Sequence, residues 1–247
     1  MAITLDGTNG VTTPDLTVDT TTITVDPSNN RVGIGTASPT VPLQVAGDIK
    51  ESVSGANAQI SAITDGASNY ATFTATNGSR SYSMQIRPDQ SNAFTIRDET
   101  GGGNRLLINA FGHITTPNQP AFMAHKNGNQ TLTAHTLTKI TSWTENTDQS
   151  NSWDNTNATF TAPTTGIYLF GILMQANING GLHCMIRKNG NNGTYGDNYL
   201  DGGDVSAGSY TLLMPMSAND YVEYFAYLTA NGNINANRSK VWAVKVG

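Results

Sequence analysis

The sequence predicts an all-β protein, on three observations. Asn (27), Thr (34), Ser (17) and Gly (25) make up 103 of its 247 residues. Thr is β-branched and suits strands, Asn and Gly suit turns, and the helix formers Ala, Leu, Glu and Lys are not prominent. Apolar residues, 37% of the chain, recur at alternating positions rather than in blocks, which is the period of a half-buried strand. Short alternating runs are then separated by Gly-, Asn- and Pro-bearing turns. Charged residues are only 13%, against about 25% in ordinary domains, which argues against charge-driven disorder.

The N-terminal strands come first. Within residues 1–47, the run LTVDTTTITVD (16–26) alternates through Leu16, Val18, Ile23 and Val25 and predicts two short strands with a Thr-rich turn. Residues 48–116 repeat the pattern in SYSMQI (81–86) and AFTIRD (93–98), separated by NGS, RPDQSN and TGGG turns, as in a meander of short strands. An echo links the two regions: NRVGI (30–34) followed by GDI (47–49), against NRLLI (104–108) followed by GHI (112–114). The same strand-and-turn unit is expected twice. Residues 48–116 carry too few large apolar side chains to close a core, yet alternation gives each strand one apolar face. Another chain must cover that face, and three copies meeting on an axis would form an intertwined fibrous shaft.

Fourteen of the nineteen aromatic residues lie after Pro117, so the compact core is expected in residues 117–247. There FTAPTTGIYLF (160–170) places Pro163 and Gly166 around a tight turn. The apolar run 167–170 after it suits a strand buried on both faces. These residues read as structural, because buried aromatics supply core area.

Two segments resemble known families. VGIGTASPTVPLQVAG (32–47) resembles a VGIGT-SP-LxVxG segment of bacteriophage tail-fibre and spike proteins, found ahead of their shafts or heads. Residues 120–247 are similar to the globular head of complement component C-one-q, related to the tumour-necrosis-factor jelly roll. The matching pieces are PAFMAH with Phe122, and the core motif with Phe160, Pro163, Gly166, Tyr168 and Phe170. IRKNG ending at Gly190 and LLMPMSANDYVEYFAYL with Asp220 and Val222 complete the match. The chain departs from that family at its end, KVWAVKVG, where the usual Gly and second aromatic are absent. The resemblance implies a jelly-roll head that trimerises on a fibrous stalk; no Gly-X-Y run occurs, so the stalk is not collagen.

The chain carries a net charge of −5 and no Lys/Arg cluster, which makes nucleic acid an unexpected partner. No apolar run approaches ~18 residues and the start lacks a signal-peptide pattern, so the expectation is a soluble product without membrane insertion, made in a cytosol. GIGTAS (33–38) lacks a third Gly, a Lys and a following helix, so it reads as a turn rather than a phosphate loop. The four histidines lack metal-binding spacing, and Cys184, the only cysteine, reads as a small buried thiol in a strand. No cofactor is expected. Asp197, Asp201 and Asp204 are weak Ca²⁺ candidates in an acidic, glycine-bearing loop without EF-hand spacing. Asp98–Glu99 and Asp220/Glu223 could be called paired carboxylates for glycan hydrolysis, but read as solvated strand ends. Trp143, Trp153, Tyr195 and Tyr199 sit in Asn/Asp/Gly-rich contexts and are candidates for exposed receptor contacts, loop packing being the alternative.

The function expected is a trimeric, non-enzymatic virion fibre of a bacteriophage. Residues 1–47 would attach to other virion proteins, 48–116 would form the shaft, and the head would meet a glycan or protein on the host surface. The alternatives are a capsid decoration fibre or spike of the same build, a bacterial exosporium or surface head, and a glycan-degrading tailspike.

Overall fold

A computed structural model of the protein describes residues 17–18, 22–50, 60–190 and 207–247. The chain divides into two compact units, Met1–Ala62 and Ile63–Gly247. Apart from one 3₁₀ turn at Pro88–Gln90, every regular element among the described residues is a strand. No helix there is long and apolar enough to cross a membrane.

In the first unit, β1 (Thr17–Val18), β2 (Ile23–Asp26), β3 (Arg31–Ile34) and β4 (Leu43–Val45) form one sheet in chain order. β1 and β2 pair antiparallel, with Val18 opposite Ile23, the two strands that the Thr-rich alternation predicts. The β2–β3 turn closes on Asp26. Its carboxylate accepts hydrogen bonds from the backbone N–H of Ser28 (3.1 Å) and Asn29 (3.2 Å), and from Asn29 Nδ2 (2.7 Å). The bond from the Asn29 side chain holds the Asp26 carboxyl below its ordinary value. β4 then runs parallel to β3, and Arg31 Nη1 donates to the Pro39 carbonyl (3.0 Å) to pin the crossing loop. Gly33 is required here, since a Cβ would stand 2.5 Å from the Thr36 carbonyl oxygen. The VGIGTASP segment is therefore a strand and turn leading to another strand, which gives no helix N-terminus to cradle a phosphate.

In the second unit, β5 (Ala71–Thr76), β6 (Ser81–Arg87), β7 (Ala93–Asp98), β8 (Gly103–Ile108) and β9 (Ile114–Thr115) make an antiparallel meander in chain order. The expected pieces SYSMQI and AFTIRD are β6 and β7. The echo holds for the strands β3 and β8 but not for the residues after them. Beyond β8, Asn109 Oδ1 accepts from the N–H groups of Phe111 (2.9 Å) and His113 (3.0 Å), and the tight turn leads into antiparallel β9. Beyond β3 the chain crosses over to parallel β4, and GDI (47–49) forms no strand. The shared residues specify a strand, whereas the length of the intervening loop decides the direction of its partner.

The ladder of the meander closes within one chain, and what that chain leaves uncovered is a face. Phe73, Met84, Ile96 and Leu106 stand directly opposite one another across four strands, and Ile86, Phe94, Ile108 and Ile114 form a second row. Phe73 is 44%, Met84 50% and Ile114 64% exposed. The other face is polar and buried, with Ser83, Gln85 and Thr95 covered. Asp98, expected as a solvated strand end, has a fully buried side chain. It accepts hydrogen bonds from Arg80, from Arg105 Nη2 (2.6 Å) and from the Gly101 N–H (2.8 Å). The strand end folds back over its own turn, and these partners, Arg105 foremost, hold the carboxyl below its usual value.

The described residues of 121–190 and 207–245 form a two-sheet sandwich. The first sheet contains β10 (Ala121–Lys126), β13 (Trp143–Asp148), β16 (Gly166–Asn177), β18 (Ala207–Met216) and β21 (Lys240–Lys245) in the order β13-β10-β21-β16-β18. Short β11 (Gln130–Leu132) and β20 (Gly232–Ile234) extend it along β16. In the second sheet, β19 (Tyr221–Leu228) pairs on one edge with β15 (Thr159–Thr161) and β12 (Thr138–Lys139), and on the other with β17 (Leu182–Lys188); β14 (Trp153–Asp154) flanks β15. Non-consecutive antiparallel neighbours in two facing sheets make this a jelly roll, as expected. The 167–170 run is corrected in one respect: Tyr168 and Phe170 are fully buried, but Ile167 on the opposite face is 47% exposed. β16 lies in the middle of its sheet, yet only its inner face meets the second sheet.

Candidate functional site

The inner faces of the sandwich are tied together by aromatic rings. Phe122 stacks between Trp153 (centroids 4.7 Å apart, 8° between planes) and Phe160 (5.1 Å). Phe160 in turn meets Tyr168 (5.7 Å) and Phe170 (5.5 Å) edge-on. The polar tips are satisfied at the sandwich rim, where the Tyr168 hydroxyl donates to the Thr164 carbonyl (2.8 Å). Trp143 and Trp153 belong to this core. They are 4% and 6% exposed, their indole N–H groups bonded to the Ile140 carbonyl and to Asn155 Oδ1, each at 2.8 Å. The expectation that these two rings stand out as receptor contacts is therefore corrected: polar flanks surround both, but the strands turn both rings inward. Tyr195 and Tyr199, with Asp197, Asp201 and Asp204, lie outside the described residues.

Three turns meet at the end of the sandwich where β16 and β19 begin. Gly166 is held against the chain end, where a Cβ would stand 2.3 Å from the Gly247 carbonyl oxygen. Asn189 and Gly190 both take left-handed conformations, φ 53° and 71°. Asp220 joins two of the turns, accepting from the Ser217 N–H (2.7 Å), Asn189 Nδ2 (2.8 Å) and Lys188 Nζ (2.7 Å). With Lys188 first among these, its carboxyl is pushed down to about 2. Val222, two residues on, is fully buried opposite Phe160. Asp220 and Glu223 thus serve separate ion pairs, Glu223 with Lys139, and do not form a facing acid/base couple.

Cys184 is fully buried in β17, and burial pushes its thiol up to about 12, far from the thiolate that nucleophilic chemistry needs. Among the described residues no group of three or more His, Cys, Asp or Glu side chains is placed to hold a metal ion.

A feature that residue patterns did not single out lies on the outer face of the second sheet. Thr161 stands opposite Tyr221, and Thr159 opposite Glu223, so all four point outward while Phe160 and Val222 point in. Two adjoining depressions of ≈ 480 and ≈ 400 Å³ run over this face and share Asp154, Thr161 and Asn219. Period-2 alternation reveals which residues face outward, but which strands lie side by side is fixed only by the jelly-roll topology.

No family model matches the chain, and no curated protein matches it. Among solved structures, the globular domain of zebrafish complement 1qA protein is similar at 14% identity over 52% of this chain and 97% of that one, with a TM-score of 0.40. Murine APRIL is similar at 10% identity over 52% and 99% of the two chains, with a TM-score of 0.42. The PRD1 vertex protein P5 is similar at 14% identity over 59% and 84%, with a TM-score of 0.44.

Proposed function

We propose that this chain is a homotrimeric, non-enzymatic bacteriophage virion fibre, with residues 1–47 attached to other virion proteins, 48–116 as shaft, and the 117–247 head meeting a host-surface glycan or protein. The observation that carries the reading is the inverted meander, whose polar face is covered within the chain while two rows of large apolar side chains face solvent. A sheet of this kind needs other chains to cover it, and identical copies around an axis bring identical apolar faces together. The head has a comparable surface. On the outer face of its first sheet Leu213, Leu169 and Val244 lie in one cross-strand row, next to Ile167, Trp242 and Met123; Leu213 is 58% exposed. The first unit supports attachment to other virion proteins, because among the described residues β4 is the edge strand of its sheet, with Leu43 60% exposed, a geometry suited to strand addition.

Gold-labelled antibody against the full-length chain, applied to intact particles, tests this reading. Label at projecting fibres agrees with it, and particles that carry none of the chain contradict it.

A further inference from the structure

We propose that the polar groove on the outer face of the head's second sheet binds a neutral saccharide. This rests on the reading of the head as the attachment end and narrows the surface involved to one site. The side chains of Thr161, Asn151 and Asn219 and the Tyr221 hydroxyl line the groove and make no hydrogen bond among the described residues. Each of these groups both donates and accepts, which matches the dual character of sugar hydroxyls and acetamido groups. Their positions are set in advance. Thr161 and Tyr221 sit on paired strands, while Asn151 and Asn219 occupy left-handed turn positions at φ 51° and 70°. The Asn219 N–H is bonded to the Ala162 carbonyl at 2.8 Å. A ligand gains these contacts without ordering the site.

Charge and apolar area decide the ligand class. Among the described lining residues Lys139 is the only cation, and its Nζ is bonded to Glu223 and to Thr159 Oγ1 (3.5 Å). Asp154 is occupied as well, accepting from the N–H of Thr156 (2.8 Å) and from Asn157 Nδ2 (2.6 Å). No cation is left to pair with a sulfate, phosphate or sialic carboxylate, which sets acidic glycans aside. Trp153 borders the groove, but its ring is turned inward onto Phe122 and is only 6% exposed, so an acyl chain or apolar side chain finds no pocket to bury in.

The test uses the full-length chain against immobilised neutral oligosaccharides of glucose, galactose and N-acetylglucosamine, with sialylated and sulfated sets in parallel. The double variant Thr161→Val, Tyr221→Phe removes two hydroxyls that hold nothing in the fold. Wild type is expected to bind members of the neutral set, and the variant to bind them at least about tenfold more weakly at an unchanged melting temperature. Asn219→Asp, which keeps a residue tolerant of the left-handed turn, provides a second probe with the same expected loss. If wild type adheres to host cells while neither variant loses adhesion and no neutral oligosaccharide competes, the groove proposal falls and host attachment stands. Groove-dependent saccharide binding without adhesion to cells reverses that result. Preference for the charged sets, or binding to neither, overturns the proposal.

Discussion

Tyr168 and Phe170 are fully buried and meet through Phe160, so replacing either by Ser removes a ring from the centre of the sandwich and leaves a hydroxyl there. Either change should cost about 3–5 kcal/mol, read as a lowered denaturation midpoint of the full-length chain. Cys184 offers the opposite case: with its thiol pushed up to about 12, it should resist iodoacetamide at pH 8 until the chain unfolds, and Cys184→Ser should leave binding intact. Asp220 makes stability depend on acid. Its carboxyl lies at about 2 against an ordinary 3.8, so the folded state binds the proton less readily than the unfolded state. Its contribution is present above pH 4 and lost as pH falls through about 2. Solvent screening limits it to about 1 kcal/mol, and Asp220→Asn should flatten that part of the stability profile. Tyr168 and Phe170 were legible as core aromatics in the apolar run after the Pro163–Gly166 turn, although that run did not show that Ile167 faces outward. Trp143 and Trp153 were not, because Asn- and Asp-rich neighbours describe the surroundings of a ring and not the side to which its strand turns it.

At the scale of elements, the meander depends on Asp98, which draws Arg80, Arg105 and the Gly101 N–H together beside the β7–β8 turn. Asp98→Ala would leave two guanidinium groups facing each other without a counter-charge, so amide exchange should accelerate in β7 and β8 while the core strands of the head keep their protection. The last strand packs closely on its neighbour. Trp242 lies on the outer face of β21 against Gly171 of β16, where a Cβ would come within 1.8 Å of the indole. Gly171→Ala must therefore displace the Trp242 ring, and loss of Trp fluorescence anisotropy would report it. Strand positions in both units were readable from alternation and turn residues. The parallel course of β4, against the antiparallel return after the second NRxxI, was not, because strand direction is set by loop closure and pairing rather than by the strand's own residues.

For the whole molecule, two apolar sheet faces remain at the surface of a single chain, one on the meander and one on the first sheet of the head, and the proposed trimer would cover both with copies of the same chain. Exposed faces of this size on a lone chain would promote uncontrolled association, whereas closed three-fold symmetry buries them and stops. The uncovered apolar face of the meander was legible in the alternation and in the shortage of large apolar residues between 48 and 116. The outer groove of the head was not, since it is assembled from strands far apart in sequence. Sedimentation equilibrium on the purified full-length chain at micromolar concentration tests the trimer most directly. The expected result is a single species of three times the 26.2 kDa chain mass, and a stable species of one chain mass would contradict it.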